Sequence, residues 1–304
     1  MSRGTASPII FPYSVAKQRA GGMSEGRIYA KIVRRGLTLV VLGMVYNGLF
    51  KLDFENLRIA SVLGRIGLAW SIAAVLYLNF GVKTRAAIAV AVLAGYGALS
   101  ALVAAPDAAG AGPLTFEGNL AGYIDRQFLP GKLIYGSFDP EGLLSTVPAV
   151  VTAMLGMFTG EFVRRGDIRG GRKTLWMAAA AAALLAAGLA FSGVLPVNKK
   201  LWSSTFVCVV GAYSLGMFAL FYYLIDVRGW RRWTLFFRVV GLNSITIYLA
   251  QRIVGFGRIS DFFLGGIASK CPEAVAAVIS SAGYVAVCWL FLYFLYRKNV
   301  FLKV

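Results

Sequence analysis

Apolar residues in this chain run in long blocks separated by short, mostly basic segments. A block of roughly 20 apolar residues is enough to cross a hydrocarbon core about 30 Å thick. Eight such blocks stand out, at about 30–50, 59–80, 86–105, 143–163, 174–195, 201–225, 235–254 and 274–296. They predict an all-α, polytopic transmembrane helical bundle, one membrane domain over residues 1–304. The opening stretch, MSRGTASPIIFPYSVAKQRAGG, fits none of these blocks. It is apolar between Ala6 and Ala16, too short to span, and runs into Lys17 and Arg19. It reads as a partial N-terminal span. With no basic region before the apolar part and no small-residue cleavage site after it, it is not expected to be a signal peptide.

Composition agrees with the pattern. The chain is 58% hydrophobic and 14% charged, against about 25% charged in a soluble domain. A net charge of +18 would suggest a nucleic-acid partner in a soluble protein. Here the partner it implies is the bilayer, because Lys and Arg collect in cytoplasmic loops. If the eight blocks alternate in direction, 20 basic residues fall on one side and 9 on the other, with Arg65 and Arg238 within or at the lip of a span. Both chain ends are then cytoplasmic. The chain has no histidine, so it lacks the commonest general base and the commonest metal ligand. Three cysteines without CxxC spacing argue against a disulfide framework or a zinc site, and no metal is expected.

The longest loop, 106–142, belongs to the far, non-cytoplasmic side. It holds five acids (Asp107, Glu117, Asp125, Asp139, Glu141), four prolines and several aromatics. Loops this long are functional or disordered, and the aromatics favour an ordered cover. Gly156 and Gly160 form a GxxxG pair, expected to mark a helix contact.

Polar groups entering the apolar blocks are the candidate chemistry. Arg65, in ASVLGRIGLAW, lies about two turns into a span, where a charge is costly unless it meets a partner or a cavity. Snorkelling is its bland alternative. A guanidinium suits phosphate or carboxylate. Asn243 is a second polar entry; Asn47 is a third and reads better as interhelical glue. Asp139 and Glu141 precede a span, where carboxylates also favour a helix N-terminus. Asn198, Lys199, Lys200 and Trp202 precede another, where a Trp/Lys interfacial anchor is the simpler reading. Together with Arg252 these groups open toward the same side, which suggests a polar vestibule there.

Six motifs in order, VLGRIG, AGYIDR, FDPEGLLSTVPAVV, VNKKLWSSTF, GLNSITIY and YFLYRKNVFLKV, resemble heparan-alpha-glucosaminide N-acetyltransferase and its bacterial relatives. The resemblance runs from about Phe11 to Val304. It implies a multi-span acyltransferase that takes acetyl from cytoplasmic acetyl-CoA and delivers it to an amino sugar or other glycan on the far side, in a bacterial inner membrane. It also implies that Arg65, Asn198, Lys200 and Trp202 bind substrate or donor, that Asp139 and Glu141 orient the acceptor, and that Asn243 is a further binding candidate.

Two departures follow. Gly64 stands where relatives more often carry glutamine. The family's first span and the segment with its catalytic histidine have no counterpart here, so the chain alone is expected to show little or no transfer. A start at an internal methionine and a shortened relative without its base both account for this. The first is preferred, because half a span leaves backbone groups unsatisfied in lipid. A transporter or flippase of a sugar or lipid-linked sugar, and a non-catalytic membrane partner, are the competing classes. Homo-oligomerisation is left open.

Overall fold

The computed structural model describes residues 7–302. Its described residues form two compact units, one ending at Gly229 and one beginning at Trp230. The first opens with a 3-10 turn, Pro8–Ile10, and continues as α1 (Phe11–Ala20), α2 (Glu25–Tyr46), α3 (Val62–Asn79), α4 (Val82–Leu102), α5 (Leu120–Phe128), α6 (Leu143–Arg164), α7 (Gly170–Ala190) and α8 (Ser204–Tyr222), which ends in a π turn, Tyr223–Val227. The second holds α9 (Leu235–Leu242), α10 (Ser244–Ile253), α11 (Phe256–Ala268) and α12 (Glu273–Arg297).

Among the described residues, six helices are long and apolar enough to cross a membrane, or seven if α9 and α10 count as one bent span. Eight complete spans are therefore not all present in the expected form. The block at 30–50 lies in α2, whose first half carries Arg27, Lys31, Arg34 and Arg35. It buries a stripe instead: Ile28, Ile32, Gly36, Leu39 and Gly43, the three- and four-residue spacing of an amphipathic helix. The block at 235–254 is two helices meeting at 60°. Asn243, at the break, has φ −126° and ψ 25°. Asn is suited to such a break because its side chain competes with helical hydrogen bonding.

Helix α6 is the hub of the first unit. Half of its apolar window is buried, with Val151, Met154 and Met157 in a core that also takes Phe11, Ile32, Ala73, Trp70 and Val207 from α1, α2, α3 and α8. Small residues set the helix spacing. A Cβ on Gly67 would lie 2.7 Å from the Gly36 carbonyl oxygen and 2.8 Å from Leu39 Cβ, so α2 and α3 cross at backbone contact. Ser61 caps α3 through Oγ, which accepts from Gly64 N at 2.9 Å.

The Gly156/Gly160 pair does mark a close approach, and its partner is the short N-terminal 3-10 helix, not another spanning helix. A Cβ on Gly156 would come 2.7 Å from Pro8 Cβ, and one on Gly160 would strike the Ile9 carbonyl. The stretch from Pro8 is thus packed against α6. Phe11 follows, edge-on to Trp70 and Tyr77 at 5.4 and 5.5 Å.

The α2–α3 crossing gives a stability test. Overpacking a tight contact costs about 1–3 kcal/mol. Gly67→Leu is expected to lower thermal stability in detergent by that order. Gly95→Leu on α4, where a Cβ meets nothing within 4 Å, leaves it nearly unchanged.

Candidate functional site

The loop between α4 and α6 is ordered. Asn119 caps α5: its Oδ1 accepts from Gly122 N at 2.7 Å, and its Nδ2 donates to the Phe116 carbonyl at 2.7 Å. Arg126 pairs with Asp107 at 2.6 Å, and Phe116, Tyr135 and Phe138 pack against one another. The buried face of α5 delivers Asp125, which is 0% exposed. Its Oδ1 accepts from Leu143 N at 2.9 Å and its Oδ2 from Asp139 N at 3.2 Å. The carboxylate thereby holds both ends of the turn that leads into α6. It sits so close to Gly142 that any Cβ there would collide with it. Burial pushes its pKa up to about 6, against the opposing pull of those two N–H groups.

That turn presents Asp139, 1% exposed. Arg58, just before α3, donates to Asp139 from Nε and Nη2, both at 2.6 Å, and also pairs with Glu141. Burial alone would lower the Arg58 pKa; the two carboxylates overcome it and raise it above the ordinary value.

Beneath this pair lies Arg65, 5% exposed. Its Nη2 donates to the Pro140 carbonyl and to Ser145 Oγ. Its Nε and Nη1 are buried without a partner. Its guanidinium lies over the Trp202 ring, 4.7 Å from the centroid, a cation–π contact. Trp202 reaches this place from a left-handed backbone, φ 52°, rare for a bulky residue, and its Nε1 donates to Thr152 Oγ1 at 3.3 Å. Tyr96 ties the same loop down by donating to the Leu201 carbonyl at 2.5 Å. Arg65 and Glu141 line a cavity of about 430 Å³ that continues between α3, α4 and α6, within the range of ligand pockets.

Four of the six motifs therefore meet at one end of the first unit: VLGRIG on α3, AGYIDR on α5, FDPEGLLSTVPAVV at the turn into α6, and VNKKLWSSTF before α8. Comparison with known proteins supports the same direction. No family model matches the chain. The human heparan-alpha-glucosaminide N-acetyltransferase is 27% identical over 340 aligned positions, covering 93% of this chain and 50% of the human protein. The mouse protein of the same name is 27% identical over 205 positions, covering 62% of this chain and 30% of the mouse protein. The chain is related to the heparan-alpha-glucosaminide N-acetyltransferases. It spans about half the length, or less, of these curated relatives. Its apolar helices are those of an integral membrane protein.

Of the residues expected at the site of such an acyltransferase, Arg65, Asp139, Glu141 and Trp202 are brought together. Asn198 turns back on its own loop: its Oδ1 accepts from Lys200 N at 2.8 Å. Lys200 is exposed, with Nζ 4.4 Å from the Tyr135 ring centroid. Asn243 lies in the second unit, buried at the α9–α10 break, where its Oδ1 accepts from Thr246 Oγ1 at 3.3 Å and its Nδ2 has no partner. Asn47 donates to the Arg58 and Ala60 carbonyls at 2.7 and 2.9 Å, the glue expected of it. Gly64 leaves room beside Arg65 for the Ser61 cap. No cluster of metal-ligating side chains occurs among the described residues.

Sequence reasoning missed Arg58, counted only as a loop charge, and Asp125, counted only as a loop acid. The amphipathic spacing of α5 was the available signal for Asp125.

Two outcomes follow. Removing one partner of a buried ion pair costs about 3–5 kcal/mol. Arg58→Ala, which strands Asp139, is expected to lower thermal stability by that order. Asp125 holds its proton more tightly folded than unfolded. Its contribution is therefore complete below pH about 4 and lost as pH rises through about 6. Over that window the wild type loses roughly 2–3 kcal/mol relative to Asp125→Asn, read from melting temperatures of both proteins at matched pH.

Proposed function

We propose that this chain is the substrate-binding core of a membrane acyltransferase. It works on acetyl-CoA and an amino sugar or other glycan presented at the α5 end of the bundle. The observation that carries this reading is Arg65: a membrane-buried guanidinium with two unpartnered nitrogens at a cavity. An intramembrane charge is retained for a site more readily than for stability. The relationship to acetyltransferases supplies the reaction class.

In that reaction the acceptor nitrogen or oxygen attacks the thioester carbonyl, loses its proton to a base, and releases the CoA thiol. Arg65 donates to substrate or donor oxygens, and Trp202 holds its guanidinium from below. Glu141 accepts from the acceptor's hydroxyl or amine. The acetyltransferase resemblance assigns the base to a histidine, and these 304 residues contain none. The asymmetry of basic loops supports an orientation in which the α5 end lies away from the cytoplasm and both ends of the chain lie inside, and the membrane proposed is a bacterial inner membrane.

A second reading, a transporter or flippase, is favoured by one observation: the 60° break between α9 and α10, the kind of discontinuity that transporters place at ion and substrate sites. Thioester consumption separates the two, since only the transferase uses acetyl-CoA.

The chain as 304 residues is expected to transfer little acetyl. Extended at its N-terminus by the histidine-bearing segment of a relative, it is expected to acetylate glucosamine from radiolabelled acetyl-CoA. In that form Arg65→Ala lowers the rate by at least tenfold. An undiminished rate in Arg65→Ala would remove the arginine from the site.

A further inference from the structure

The cavity at Arg65 has one polar end. Ser61, Arg65, Glu141 and Thr146 line it there. Away from that end the α3 side is Leu68, Ile72 and Leu76, and the facing sides are Ile88 and Val92 of α4 with Val150 and Met154 of α6. Positions 65, 68, 72 and 76 form a single helical stripe. At 1.5 Å per residue, Arg65 to Leu76 covers roughly 16 Å, about the depth of one leaflet. The slot is open on its flank: Leu68 is 42% and Ile72 47% exposed, on helices long and apolar enough to lie in lipid.

We propose that this slot binds a lipid-linked acceptor, an amphiphile with a phosphate-bearing, hydroxylated head and one apolar chain. The proposal rests on the acyltransferase reading and specifies its acceptor class. Three features select this occupant. The Nε and Nη1 groups of Arg65, buried and unpartnered, call for several acceptor oxygens in one head group, and phosphate supplies them. Glu141, beside them and already paired with Arg58, accepts from a hydroxyl. The apolar reach below has no polar partner to offer. A free sugar phosphate would leave that reach empty, whereas a hydrocarbon chain buries apolar surface along it at about 25 cal/mol per Å². The amide-bearing arm of a thioester donor would bring peptide groups into the same reach, and unpaired buried amides are costly. The open flank lets a chain enter from the bilayer without leaving lipid.

The test uses the full chain in phosphatidylcholine nanodiscs, with farnesyl phosphate as probe and retention read by native mass spectrometry. Farnesyl phosphate is expected to bind at least tenfold more tightly than farnesol or inorganic phosphate. Arg65→Gln is expected to erase the advantage over farnesol. Because Arg65 is buried, a second variant guards against a folding artefact: Ile72→Trp, at a half-exposed position, fills the slot and weakens farnesyl phosphate at least tenfold while leaving the melting temperature unchanged.

Equal binding of farnesyl phosphate and farnesol, or full binding to Ile72→Trp, would overturn the proposal. So would inorganic phosphate binding as well as farnesyl phosphate, which would mark a free-anion site, or acetyl-CoA displacing the probe at equal affinity, which would assign the slot to the donor. Acetyl transfer to soluble glucosamine, measured separately, would survive any of these failures, so the acyltransferase reading stands or falls on its own assay.

Discussion

The ion pair between Arg58 and Asp139 joins segments 81 residues apart, and the organisation of the α5 end depends on it. A carboxylate removed from water is costly unless it is paired and fully hydrogen-bonded. Asp139 meets both conditions: two bonds from Arg58, and further bonds from the Glu141 and Ile134 N–H groups. Closing this pair draws the end of the long loop over the entrance to α3. The Pro140 carbonyl, carried by the same turn, then reaches Arg65.

A second carboxylate does the complementary work. Asp125 makes no ion pair; it binds the backbone at both ends of the turn. The turn is thus held from one side by charge and from the other by backbone N–H groups. Gly142 is required at the point where the carboxylate comes closest. The strained Trp202 supplies the floor under Arg65. The result is a rigid polar cap over an apolar slot, with donor capacity left over at Arg65. Preorganised donors in a low-dielectric site are what charge-stabilising chemistry or tight anion capture needs.

The related acetyltransferases put a boundary on this picture. The similarity to the human protein covers most of this chain but only half of that protein, and the four converging motifs all fall within the first unit, around α6. The two remaining motifs, at the α9–α10 break and the end of α12, belong to the second unit. There the break buries an asparagine with a free amide, a polar feature of its own.

The helices themselves were legible in the chain. Runs of apolar residues must be helical in lipid, because only a helix satisfies every backbone group within one segment, and α3, α4, α6, α7, α8 and α12 fall close to where those runs lie. Arg65 was legible for the same reason: a charge within such a run stands out against its cost. What the linear pattern left open were the cases in which hydropathy and geometry part company. Helix α2 carries its charges in its first half yet packs through a narrow buried stripe. The run at 235–254 is apolar enough to span but breaks at Asn243. The GxxxG pair receives a 3-10 turn. Beyond these, only the tertiary structure could choose partners. Any of several loop cations could have faced Asp139. Chain folding selected Arg58, because the α2–α3 crossing, set by Gly36 and Gly67 at backbone contact, brings the segment before α3 under the loop. Pairing across 81 residues is a property of that packing, and local sequence carries no signal for it.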